Sequence, residues 1–272
     1  MTRVGFKSHK GMKRESNEDS CFILPQEGVF IVADGVGGHN SGQTASGMAV
    51  SEIAEMIKQK PIRKRKENSI LKYLESCVEA ANIRIIHRAI EAPENFGMAT
   101  TLVMCYINGN KAYFANAGDS RAYIFRDGEL RQITEDHSYV NLLVKKGAIT
   151  KEDAINHEES NKITKALGVE YPVKADYYIE KLRKNDVLLL CTDGLYNEVD
   201  ENEICDLIKH EKDMSKLAEQ FLSGANVHGG KDNITVVSDF EWLSVNIVLT
   251  PTVSISTIFA SSPPILPLFT NA

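Results

Sequence analysis

The chain has few cysteines and pairs none of them in sequence. Cys21, Cys77, Cys105, Cys191 and Cys205 form no CxxC, and most sit in apolar surroundings, where cysteine behaves as a small hydrophobe. That argues against a disulfide framework and for a reducing compartment. No His/Cys spacing suggests zinc. The opening residues, MTRVGFKSHKGMKRESNEDS, lack the apolar run of a secretory signal, so a cytoplasmic protein is expected. Basic charge is not in excess: the formal net charge is −6, which argues against nucleic acid or anionic lipid as a partner. The short basic run Arg63-Lys64-Arg65-Lys66 reads as a solvated turn between helices.

From Trp242 to Ala272 there is no Asp, Glu, Lys, Arg or His, although the preceding chain is regularly charged. This stretch carries Pro251, Pro263, Pro264 and Pro267 and lacks the roughly 20 continuous apolar residues of a spanning helix, so no membrane anchor is expected. The expected organisation is one domain over residues 1–241, followed by an uncharged, atypical tail over 242–272 of frame-shifted or fused character.

With 272 residues, 43% of them hydrophobic, the chain can bury a large core. Apolar, β-branched runs bounded by turn residues predict strands at Val29–Ala33, Leu102–Ile107, Lys111–Ala117, Arg121–Phe125, Val187–Thr192 and Ile234–Ser238. Asn108-Gly109 and Asp127-Gly128 lie between strand candidates and supply the positive φ that antiparallel hairpins require. Apolar residues recurring at three and four predict three core-facing helices. Their stripes run from Ala45 to Ile57, from Ile70 to Ile85 and from Met214 to Ala225. Thr150 with Asp153, and Asp200 with Glu203, have the look of helix N-caps. The order of elements is not a βαβ alternation, and an α+β layered domain fits it.

Five acidic segments stand where turns leave probable strands or loops: Asn17-Glu18-Asp19, Ala33-Asp34-Gly35, Gly118-Asp119-Ser120, Thr192-Asp193-Gly194 and Lys231-Asp232-Asn233. Any single Asp-Gly is more often just a turn. Five such segments together are another matter. A carboxylate at the rim of a core is costly unless it is paired or holds a cation, and an all-oxygen set favours Mg²⁺ or Mn²⁺ over Zn²⁺. Gly35 would let its backbone carbonyl approach an ion closely.

These motifs resemble the metal-dependent protein phosphatases of the PPM family, type 2C, in its bacterial form. The resemblance runs from about Thr2 to Phe240, in family order. It is carried by Arg14-Glu15-Ser16-Asn17-Glu18-Asp19, Val32-Ala33-Asp34-Gly35-Val36-Gly37-Gly38-His39 and Ala117-Gly118-Asp119-Ser120-Arg121. It continues through Ile133-Thr134-Glu135-Asp136-His137-Ser138, Ile163-Thr164-Lys165-Ala166-Leu167-Gly168, Leu190-Cys191-Thr192-Asp193-Gly194-Leu195 and Gly229-Gly230-Lys231-Asp232-Asn233-Ile234-Thr235.

The resemblance implies a four-layer α-β-β-α sandwich, two antiparallel sheets flanked by helices. It further implies hydrolysis of phosphoserine and phosphothreonine in proteins by a metal-activated water, with two or three Mn²⁺ or Mg²⁺ ions. In the family pattern Asp34 bridges two ions with the Gly35 carbonyl, Asp193 and Asp232 hold one of them, and Glu18 and Asp19 act around the other. Asp119 and Asp193 would form a third, weaker site, and Arg14 would bind the substrate phosphate. The catalytic set so implied is Arg14, Asp34 and Asp193. Implied partners are phosphorylated protein substrates and an opposing bacterial Ser/Thr kinase, with the enzyme a monomer. The alternatives are a specialised stress-signalling phosphatase and a non-catalytic, phosphoprotein-binding pseudophosphatase.

The chain departs from the family pattern in places. Val36 stands where some members carry a histidine thought to protonate the leaving alcohol, and nearby His39 reads as a structural residue of a glycine loop. Met98 replaces a glycine before Thr100-Thr101, and Lys165 stands where arginine is common. The polar segment from Asp136 to Ile163 corresponds to the family's flap and is expected to act as a mobile lid.

Overall fold

The computed structural model describes residues 4–38, 41–155 and 157–240. The predicted boundary at 241, the tail 242–272 and His39 lie outside the described residues. Along the chain run β1 (Val4–His9), β2 (Asp19–Leu24), β3 (Val29–Val36), α1 (Ser41–Gln59), α2 (Ile70–Glu91), β4 (Ala99–Thr100), β5 (Leu102–Asn108), β6 (Lys111–Ala117) and β7 (Arg121–Arg126). There follow β8 (Glu129–Gln132), α3 (Tyr139–Lys145), α4 (Lys151–Ile155), β9 (Asp176–Lys181), β10 (Val187–Cys191), α5 (Asp193–Tyr196), α6 (Glu201–His210), α7 (Met214–His228) and β11 (Ile234–Phe240).

The strands form two antiparallel sheets, ordered β1-β11-β10-β7-β8 and β2-β3-β5-β6-β9, with β4 added to β3. Side chains on a strand alternate between its two faces, and the buried clusters follow that alternation. Val29, Ile31 and Ala33 of β3 pack against Ala45, Ile53, Ile57, Leu74, Val78 and Ile85 of α1 and α2. Leu189 and Cys191 of β10 pack against Leu217, Phe221 and Ala225 of α7 on the opposite side of the molecule. The intervening residues, Phe30 and Val32 of β3 with Leu188 and Leu190 of β10 and Val237 of β11, meet in the layer between the sheets. Each such side chain removed from water contributes roughly 1.5–3 kcal/mol. The result is the expected α-β-β-α sandwich.

Local chemistry sets the connections. In the β5–β6 hairpin Asn108 pairs with Lys111, so Gly109-Asn110 form the loop, with φ of 60° at Gly109. The turn therefore takes its positive φ at the first central residue, where the primed turn with glycine first needs it. Between β7 and β8 both Asp127 (φ 52°) and Gly128 (φ 90°) are left-handed. Thr150 and Asp153 exchange reciprocal hydrogen bonds at the start of α4, and Asp200 caps α6 by accepting from the amides of Asn202 and Glu203. Thr192, expected to end a strand, instead stands at the N-cap of α5, where its backbone remains extended. The flap contains α3 and α4 and is closed at its neck by a Ser138–Ile163 bridge. No helix among the described residues is long and apolar enough to cross a membrane.

Candidate active site

The site forms where the inter-sheet layer stops being apolar. On β3, Phe30 and Val32 face the opposite sheet, and Asp34 comes two residues further along the same face. On β2, Cys21 has that orientation and Asp19 precedes it by two. Asp19 and Asp34 are direct partners in the β2–β3 ladder, so register alone puts the two carboxylates side by side.

Across the gap, the β10–β11 sheet offers hydroxyls and amides. Thr192 Oγ1 donates to Asp19 Oδ2 at 2.9 Å and accepts from the Thr235 amide at 3.0 Å. Asn233 accepts from the Glu18 amide at 2.8 Å and donates to the carbonyls of Lys10 and Ser16 at 3.0 and 2.9 Å. The segment carrying Arg14 and Glu18 is thereby tied to the turn carrying Asp232.

The backbone of Asp34 is held from both sides. Its amide donates to Thr101 Oγ1 (2.9 Å), while its carbonyl accepts from the Thr101 amide (2.8 Å) and Thr100 Oγ1 (2.9 Å). Gly35 follows at a close crossing, where a Cβ would lie 2.1 Å from the Gly42 carbonyl oxygen. Gly42 in turn leaves room for Glu18, whose Oε2 would be 2.2 Å from an added Cβ. Only glycine fits at either position.

Asp193 opens α5 directly after β10, and Asp119 lies in the turn between β6 and β7. The Gly118 amide donates to His137 Nδ1 at 3.1 Å, and the His137 amide donates to the Gly118 carbonyl at 3.0 Å. With Nδ1 accepting, the His137 proton sits on Nε2 and is donated to Asp176 Oδ2 at 2.9 Å, while Lys165 donates to Asp176 Oδ1 at 3.1 Å. Burial keeps the His137 pKa below its ordinary value, in line with that neutral tautomer.

Electrostatically the site is a concentration of anions. Burial, and then the charges of Asp19, Asp193, Asp119 and Asp232, push Asp34 well above the ordinary carboxylate range. Burial lifts Asp19 to about 8, Asp119 to about 7 and Asp193 to about 6, each opposed or reinforced by its neighbours. Burial also raises Glu18, with Arg14 acting against it. The sequence-predicted acids are thus gathered within reach of one another's fields.

Arg14 adds positive charge at the rim. Its Nη2 donates to Asp232 Oδ2 at 2.6 Å, and 57% of its side chain stays exposed. Its partner Asp232 arrives from the far end of the sequence.

Asp19 Oδ1 and Asp193 Oδ1 are buried without a hydrogen-bond partner. A buried, unpartnered carboxylate oxygen is costly, and a cation removes that cost. Among the described residues no three His, Cys, Asp or Glu side chains close tightly round one point. The donors instead form an open rim of carboxylates. That arrangement suits small hard cations that keep several of their waters, so the residues fit Mg²⁺ or Mn²⁺.

Sequence reasoning missed Thr101, Thr192 and Asn233 as supporting residues. Each was visible only as a neighbour of an aspartate or as one of a threonine pair, because its role depends on strands distant in sequence.

Comparison with known proteins agrees with this architecture. The family model for protein phosphatase 2C matches residues 8–233. The chain is 39% identical over 235 residues to the serine/threonine phosphatase stp of Listeria welshimeri, covering 85% of this chain and 93% of that one. The crystal structure of the serine/threonine phosphatase Stp1 from Staphylococcus aureus superposes with a TM-score of 0.83 at 33% identity, over 89% of this chain and 96% of that one. The catalytic domain of the serine/threonine protein phosphatase PstP, crystallised in complex with 2 manganese ions, gives 0.77 at 33% identity, over 87% and 97%. With the family model matched over most of the chain, and relatives more than 30% identical covered over most of both lengths, the chain belongs to the protein phosphatase 2C family.

Proposed function

We propose that the carboxylate rim is the active site of a metal-dependent phosphatase that hydrolyses phosphoserine and phosphothreonine in proteins. The observation that carries this reading is the gathering of Asp19, Asp34, Asp119, Asp193 and Asp232 at one end of the inter-sheet layer, with two buried carboxylate oxygens unpartnered. The serine/threonine phosphatase names of its relatives, and the manganese in one of their structures, support the same reaction and cofactor.

In this reading Asp34 and the Gly35 carbonyl would serve two ions, Asp193 and Asp232 would hold one of them, Glu18 and Asp19 would act around the other, and Asp119 with Asp193 would hold a third. When bound, two or three Mn²⁺ or Mg²⁺ ions supply the charge neutralisation and the acidified water that in-line attack on phosphorus requires. Arg14 receives the phosphoryl oxygens, for which a planar guanidinium offers paired donors. Asn233, Thr192 and Thr101 keep the carboxylates at fixed separations, so that little reorganisation is left for the moment of reaction.

The natural substrates are phosphoproteins made by an opposing Ser/Thr kinase, and the enzyme acts as a cytoplasmic monomer. The deciding experiment is hydrolysis of a phosphothreonine peptide by purified protein with Mn²⁺, with Mg²⁺ and with excess EDTA. Turnover restored by metal and lost in EDTA is expected. Folded protein that turns nothing over under any metal would point to a phosphoprotein-binding role.

A further inference from the structure

The Asp119 turn lies between strands and has no ladder partner of its own, yet its carbonyl is held. Tyr196 Oη donates to the Asp119 backbone oxygen at 3.0 Å. Tyr196 is the last residue of the single-turn helix that Asp193 begins. One phenol therefore ties the backbone of one aspartate to the helix of another.

The ring is itself held in place. The Arg121 guanidinium lies over it, 3.5 Å from the ring centroid. Arg121 is fixed in turn by Asp136, through Nε at 3.0 Å and Nη2 at 2.7 Å, and by Tyr123 Oη at 2.8 Å from Nη1. A desolvated cation over an aromatic face is attracted to its negative quadrupole, which keeps the phenol from rotating away. The hydroxyl is spoken for by the carbonyl of Asp119, to which it donates.

We propose that Tyr196 is a positioning residue: held against Arg121, its hydroxyl sets the distance between Asp119 and Asp193, and so tunes the affinity of the cation position those two acids share. The proposal rests on the assignment of Asp119 and Asp193 to a shared ion. It extends that assignment to a residue that contacts neither the substrate nor the cation. Outer partners that orient metal ligands typically govern 10- to 100-fold in metal affinity.

The test is Mn²⁺ binding, followed by calorimetry and by the electron paramagnetic resonance of free Mn²⁺, on full-length protein stripped with EDTA. Wild type, Tyr196→Phe, Tyr123→Phe and Asp119→Asn are compared. Tyr196→Phe keeps the ring under Arg121 and removes only the donor. It should weaken the loosest Mn²⁺ by about tenfold and leave the tighter ions and the metal-free melting temperature unchanged. Tyr123→Phe, which leaves Arg121 gripped by Asp136 and does not touch Asp119, should bind Mn²⁺ like wild type, and Asp119→Asn should lose the loosest ion.

If Asp119→Asn loses that ion while Tyr196→Phe titrates like wild type, the positioning role is wrong and the ion assignment stands. If Asp119→Asn keeps every ion, the assignment itself is wrong. If Tyr196→Phe weakens all ions together and melts earlier in EDTA, or Tyr123→Phe does the same, the network is general structural support and the proposal falls.

Discussion

Two pairs of aspartates meet at this rim, and they are held by different means. Asp19 and Asp34 sit opposite one another in a β-ladder, so their separation is fixed by strand register and by the threonines on the Asp34 backbone. Asp119 and Asp193 sit on a turn and a one-turn helix, and their separation depends on a few side-chain hydrogen bonds. Register is cooperative and cannot slip by less than a residue, whereas a hydrogen bond can lengthen by tenths of an ångström. The strand-borne pair is thus a fixed frame, and the turn-borne pair is adjustable.

That contrast can be broken most severely through Asp193, which the proposed reading puts at two cation positions. Asp193→Asn should lower kcat by more than the roughly 100-fold that outer partners of a metal control, with the fold intact by circular dichroism. An unchanged kcat would remove Asp193 from the site.

A second probe is stability against pH in metal-stripped protein. Asp19, lifted to about 8, and Asp119, lifted to about 7, hold protons in the fold that the unfolded chain releases near the ordinary carboxylate pKa. Between those limits the folded state binds more protons. Stability should therefore fall as pH rises from about 4 toward 8, by up to about 1.4 kcal/mol per pH unit for each such carboxyl. Urea unfolding in EDTA across that range measures the slope, and saturating Mn²⁺ should flatten it. A stability that rises with pH would mean that these acids are already neutralised by cations of the protein itself. Asp119→Asn should leave the slope between pH 7 and 8 in place, since that part belongs to the strand-borne Asp19 and Asp34.

Thr101→Val tests the frame more gently. It removes the acceptor for the Asp34 amide and a partner of Ser120 in a buried setting, at a cost of about 1–3 kcal/mol. Denaturant unfolding should register that loss; a neutral result would mean that register alone holds Asp34. Smallest of all, Arg14→Ala breaks an exposed ion pair and a phosphate contact. It should raise KM for phosphopeptides several-fold while kcat changes little. A large fall in kcat with KM unchanged would contradict a ground-state binding role.

The legibility of the fold follows the position of each strand in its sheet. The six strands predicted from sequence are β3, β5, β6, β7, β10 and β11, and all six are central members of their sheets. A central strand between two layers is covered on both faces and reads as a continuous apolar run, as in Val187–Cys191, where every residue is buried. The strands that escaped are the four edges, β1, β2, β8 and β9, together with the two-residue β4. β9, Asp176–Lys181, has no fully buried residue, and its acids and lysine blunt the sheet edge. Asp34 and Asp193 were legible because each follows a hydrophobic run, and Asp19, Asp119 and Asp232 because each stands in an acidic turn segment of a recognisable motif. Their supports were not, because Asn233 reaches Ser16 and Thr192 reaches Asp19 only through tertiary structure.

β1 pairs with β11 and with no other strand of its sheet. The earliest described strand to be synthesised therefore waits for the latest, roughly 10–50 s at 5–20 residues per second, before its ladder can form. Asn233 and Asp232 arrive with that last strand and bring in the segment carrying Glu18 and Arg14. The rim can close only once β11 has been made, and a polypeptide arrested before it carries Asp19, Asp34, Asp119 and Asp193 without Asp232 or the Asn233 ties that draw in Glu18 and Arg14. Catalytic competence in this sense waits for the last described strand.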